Sequence, residues 1–118
     1  MKIRQFSILT GLSVDTLRYY EKEGLLKPNR DINGYRQYTE HDIEWVQAFL
    51  RLKRTNMPLT QIKEYSRLRH LGDETVAQRY KMLLTHAQYL QDLQAELAEH
   101  QTYLRDKLAI YGQMLTKK

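Results

Sequence analysis

The chain has 118 residues, 42% of them apolar, which supports one small core with an appendage but not two cores. Its formal net charge of +5 is uneven: positions 1–71 hold 13 Lys and Arg against 8 Asp and Glu, whereas positions 72–118 hold 6 against 6. The basic excess therefore belongs to the N-terminal part and points to a polyanion partner, duplex DNA or RNA being the commonest. With no Cys, disulfides, thiolate metal sites and thiol redox sensing are excluded. No apolar run approaches the roughly 20 residues of a membrane span, so a cytoplasmic chain with no membrane partner is expected.

Ile3, Phe6, Leu9 and Leu12 recur at helical spacing and Gly11 stands where a helix would end, which predicts a first helix over about 4–10. Ser13 is placed to cap a second helix over about 14–23. Two helices separated by a few residues including a Gly have the form of a helix-turn-helix, with the second helix as the candidate reader. The stretch LLKPNRDINGYRQYT then carries Pro28 and an Asn33-Gly34 turn signal, and reads as a short hairpin, or wing.

Thr39 with Asp42 resembles a capping box, and Ile43, Val46, Phe49 and Leu50 give the buried stripe of a third helix ending near Thr55. Pro58 enforces a break. Thr60 is then placed to cap a fourth helix containing Ile62, Tyr65, Ser66 and Leu68 and ending at Leu71-Gly72, before Asp73 or Glu74 opens the last helix.

From Val76 to Leu115 the steps alternate four and three, giving a heptad seam interrupted by Gln94 and Gln101. Roughly 40 residues at ~1.5 Å each make an arm of ~60 Å, too long to bury its stripe on a 70-residue head. A second copy of the chain is expected to cover it, with Leu83, Leu90, Leu97, Leu104, Leu108 and Tyr111 as dimerisation residues. The expected division is a DNA-binding domain over 1–71 and a dimerisation helix over 72–118.

The run TLRYYEKEGLLKPNRDINGYRQYTEHDI resembles the MerR family of bacterial transcription regulators, and the resemblance extends from about Ile3 to about Leu68. It implies a mainly α fold: a winged helix-turn-helix followed by a long C-terminal helix that forms an antiparallel coiled-coil dimer. It further implies a near-palindromic operator within an overlong promoter spacer, which the regulator bends and untwists so that RNA polymerase can engage both promoter elements. Such deformation costs of order several kcal/mol, offset by many backbone contacts. A bacterial, nucleoid-associated location follows from the same likeness.

Arg18 and Tyr19 are expected to project from the reader toward a major groove while Leu17 and Tyr20 turn inward. A surface Arg18 paired with Glu21 or Glu23 is the competing reading. Thr16, in the first helical turn, is a further candidate contact, while Asp15 fits a helix N-terminus better than a phosphate. Tyr35, Arg36 and Tyr38 decorate the wing as donors to the sugar-phosphate backbone, although one wing tyrosine and Tyr20 also suit the core. The resemblance supports Arg36 most, and it places a second wing at Thr60 and Lys63, where a solvated face is the alternative.

AFLRLKRTNMPLTQIKEY looks most like the small regulators of aldehyde and electrophile stress, whose sensing thiol lies in the third helix; here that neighbourhood reads Leu50, Arg51, Leu52, Lys53. The thiol chemistry is therefore absent. His41, His70, His86 and His100 have no metal-ligand spacing, and no phosphate loop or catalytic constellation is recognisable, so neither an enzyme, a metal site nor a cofactor is expected. A small-molecule effector of unknown chemistry stays open with no residues assigned. The alternative function is an architectural or coiled-coil interaction protein that binds DNA without sequence preference.

Overall fold

In the computed structural model, which describes residues 1–117, α1 (Ile3–Thr10) closes on Gly11, whose φ of 75° is the left-handed conformation of a helix stop. The chain turns within three residues into α2 (Val14–Lys22), and Ser13 caps it by accepting the Thr16 N–H at 3.1 Å. The antiparallel strands β1 (Asn29–Arg30) and β2 (Arg36–Gln37) pair Asn29 with Gln37 and Arg30 with Arg36. Helices α3 (Glu40–Arg54) and α4 (Leu59–Leu71) follow, and a 3₁₀ turn over Asp73–Thr75 leads into α5 (Val76–Thr116). The mainly helical class with a helix-turn-helix and a wing agrees with the sequence.

The capping box is complete: Thr39 Oγ1 accepts from Asp42 N–H and the Asp42 carboxylate accepts from Thr39 N–H at 2.9 Å. Thr60, in contrast, caps nothing. Pro58 occupies the N-cap position, without a side-chain cap, and its carbonyl accepts from Gln61 and Ile62 at 3.0 Å. Proline brings a fixed φ and no N–H that needs satisfying, so the helix starts two residues earlier than a threonine cap would place it.

The core is one cluster built around Phe6, Leu17, Tyr20, Leu25, Tyr38, Trp45, Phe49 and Ile62. Tyr20 meets Phe49 edge-on at 4.8 Å, a favourable quadrupole arrangement. In α3 the buried residues are Trp45, Val46 and Phe49, while Ile43 and Leu50 are only partly covered. Trp45 lies outside the stripe expected from the sequence. Its indole N–H donates to the Leu25 carbonyl at 2.6 Å, its ring stacks near Tyr65, and the Arg69 guanidinium lies 4.6 Å from its centre.

By contact density the chain falls into two units, Met1–Tyr80 and the portion from Lys81 onward, so the first turn of α5 belongs with the head. Along the arm, Leu97, Leu104, Leu108 and Tyr111 are exposed in the single chain, Leu108 to 72%. No helix among the described residues is long and apolar enough to cross a membrane.

Candidate nucleic-acid interface

The candidate reader presents alternating burial over one turn of α2. Leu17 is fully buried and Tyr20 nearly so, whereas Arg18 and Tyr19 are exposed. This is the division that a 3.6-residue period imposes on a helix laid against a core. Arg18 makes no hydrogen bond or ion pair among the described residues, and neither Glu21 nor Glu23 takes it. Thr16 is half-buried, and its hydroxyl accepts from Ser13 at 2.8 Å, so its side chain is tied to the cap at the helix entry.

The wing is ordered by one aspartate. Asp31 Oδ1 accepts the backbone N–H groups of Asn33 and Tyr35, both at 2.9 Å, and Gly34 completes the turn at φ 84°, a conformation that glycine adopts freely. Donation from Tyr35, with help from Gln37 and Asn33, holds the Asp31 carboxyl below its ordinary pKa. Tyr35 is exposed, with the Lys2 ammonium 5.0 Å from its ring centre. Arg36 is half-buried and donates from Nε to Glu21 Oε2 at 2.6 Å.

Tyr38 does not belong to the exposed set in which the sequence placed it. Its ring is 1% exposed and stacks on Phe6 at 4.3 Å, and its hydroxyl has no hydrogen-bond partner among the described residues. It closes the core beneath the wing and cannot reach a nucleic acid without unpacking, so it is the wing tyrosine that packs.

On the other side of α2, Lys63 Nζ donates to Glu23 at 2.6 Å. The Lys63 ammonium lowers the Glu23 pKa through this bond and its charge, and the bond to Glu23 raises that of Lys63. Thr60 is exposed. Both line an open cleft of about 490 Å³ together with Lys27, Arg67 and His70. A smaller notch of about 160 Å³ lies between Lys2, Ile3, Arg18, Tyr35 and Arg36. Wing and α4 are thus tied to the last turns of α2 by its two glutamates, with cationic donors in a recess on each side.

Lys2 carries no role in the sequence reading, and Glu21 and Glu23 enter it only as partners of Arg18, whereas they pair with Arg36 and Lys63. Their partners lie 15 positions away for Glu21 and Arg36 and 40 for Glu23 and Lys63, and no local periodicity marks such pairs. Among the described residues no group of three or more His, Asp or Glu is placed to hold a metal ion.

Residues 1–68 match the family described as MerR HTH family regulatory protein. An uncharacterised HTH-type transcriptional regulator of Haemophilus influenzae is 38% identical over 103 residues, 86% of this chain and 76% of that protein. The HTH-type transcriptional regulator AdhR of Bacillus subtilis is 36% identical over 76% of this chain and 65% of its own length. Among solved structures, HiNmlR, a MerR family regulator lacking the sensor domain and bound to promoter DNA, superposes with a TM-score of 0.71 at 33% identity, covering 95% of this chain and 90% of that one. A MerR family regulator from Listeria monocytogenes gives a TM-score of 0.75 at 26% identity, over 94% and 85%.

Proposed function

The chain belongs to the MerR family of sequence-specific DNA-binding transcription regulators, and from that premise we propose that it works as a homodimer on a palindromic operator inside a promoter spacer. Bending and untwisting the spacer aligns the promoter elements for RNA polymerase in the bacterial cytoplasm, at the nucleoid. In this reading α2 enters the major groove with Arg18 and Tyr19 on its outer face. Thr16 approaches at the helix entry, Tyr35 and Arg36 bring the wing to the backbone, and Thr60 and Lys63 do the same from α4. Leu83, Leu90, Leu97, Leu104, Leu108 and Tyr111 form the seam of an antiparallel coiled coil, whose covering by a second copy would remove a stripe that one chain leaves in water.

The observation that carries the reading is the unpaired, exposed Arg18 beside Tyr19, on a helix whose two flanking side chains are locked into the core. A free guanidinium on a rigid helix suits guanine O6 and N7 or a phosphate equally in chemistry. The relative bound to promoter DNA supports the partner class.

The test is substitution of Arg18 and of Tyr19 by Ala, with affinity measured on the preferred duplex and on an unrelated one. A regulator loses about ten- to a hundredfold on the preferred duplex and much less on the other. A small, equal loss on both would identify instead a protein that binds DNA without sequence preference.

A further inference from the structure

Glu21 sits where two cations meet. One of its carboxylate oxygens accepts from Arg36 Nε at 2.6 Å and the other lies 3.6 Å from Arg30 Nη2. Arg30 and Arg36 are paired across the two strands of the wing, so one carboxylate holds both strands to α2. Strands of two residues have almost no stability of their own and need such an anchor. Arg36 is engaged only through Nε; its terminal amines make no hydrogen bond among the described residues. Arg36 lines the notch that also has Arg18, Lys2 and Tyr35 in its wall. Lys2 is restrained by Asp31 at 3.5 Å and by the Tyr35 ring. At about 160 Å³ the notch suits one tetrahedral anion and is smaller than the ~300 Å³ from which pockets for organic ligands begin.

We propose that Glu21 is a positioning residue that holds the wing on the reading helix, so that the terminal amines of Arg36, with Lys2, form a socket for one backbone phosphate of duplex DNA, beside the Arg18 that α2 carries into the groove. This rests on the DNA-binding reading above and adds two residues to it. A guanidinium gripped at Nε presents its outer edge in a fixed plane, which favours two parallel bonds to phosphate oxygens. The opposite role, a carboxylate that competes with phosphate for Arg36, would make removal of Glu21 tighten binding.

A double-mutant cycle with Glu21→Ala and Arg36→Ala, run on the preferred duplex and on an unrelated one at two salt concentrations, separates these roles. Glu21→Ala weakens both duplexes by about tenfold and lowers the salt slope by about 1, as Arg36→Ala does. Added to Arg36→Ala it changes affinity by no more than about twofold, and Lys2→Ala weakens both duplexes alike. Should Glu21→Ala fold poorly by thermal melting, Glu21→Gln enters the same cycle. Tighter binding by the Glu21 variant, or losses that simply add in the double variant, overturns the proposal. Because a phosphate contact is blind to sequence, the cycle can be read on the unrelated duplex even if the wild type shows no sequence preference, and that separate result would count against the reading of the site alone.

Discussion

Tyr38 shows how one side chain changes meaning with its environment. Burial, and after it the charge of Glu21, pushes the Tyr38 hydroxyl above its ordinary pKa, and that hydroxyl has no partner among the described residues. Replacing an unsatisfied buried polar group with an apolar one of the same shape is neutral or stabilising, by up to about 1 kcal/mol. Tyr38→Phe is therefore expected to melt at the same or a higher temperature and to bind DNA unchanged; a loss of DNA affinity without loss of stability would restore Tyr38 as a contact. His70 gives a pH prediction. Burial, then the charges of Arg69 and Lys27, depress its pKa. Its contribution to stability is thus fully present above the ordinary imidazole value of ~6.5, and is lost as pH falls through that value toward the folded one. Thermal melting across that range should show a slope in the wild type that His70→Gln reduces; identical slopes would contradict it.

Arg18 and Tyr19 could be placed outward from the spacing of their neighbours alone, because a helix with two buried residues fixes the direction of the rest. Tyr38 could not, since it follows a strand of only two residues, which has no alternation long enough to separate inner from outer positions. The glutamates that organise the site were illegible for a related reason: their partners come from other elements, and only the folded chain brings them together.

Elements were readable where a local signal closes them. Gly11, Ser13, the Thr39–Asp42 box and the turn at Gly34 each fix a boundary by backbone chemistry that needs no tertiary contact. The fourth helix misled because Thr60 follows Pro58, and either residue fits a helix entry. A pair of substitutions tests that difference. Thr39→Ala removes a cap and is expected to lower stability by about 1 kcal/mol, whereas Thr60→Ala changes an exposed, non-capping residue and is expected to alter it by less than about 0.5 kcal/mol. Comparable losses in the two denaturation curves would show that Thr60 caps after all. Trp45 escaped the expected stripe of α3 for a different reason. Its burial is decided by the Leu25 carbonyl and by Tyr65 on α4, partners that helical periodicity does not encode.

For the whole molecule, the basic head and the neutral arm divide the work. The head carries the basic excess, while the arm carries an apolar seam that one chain leaves exposed. Leu97→Asp places a charge in the middle of that seam and is expected to convert the proposed dimer to a monomer in sedimentation. Operator affinity should fall with it, because a palindrome is read by two linked heads whose second contact is effectively intramolecular. A dimer that survives Leu97→Asp would require another interface. The interrupting Gln94 and Gln101 fit a seam in which polar residues set register at some cost in stability.

The most direct test is selection of binding sites by the full chain from a pool of random duplexes at about 0.15 M salt, followed by footprinting of the enriched sequence. One inverted repeat is expected, occupied by two protomers, with half-sites about a helical turn apart or a multiple of it, and its enrichment is lost with Arg18→Ala. Enrichment of no motif, or of a single unrepeated one bound by a monomer, would contradict it.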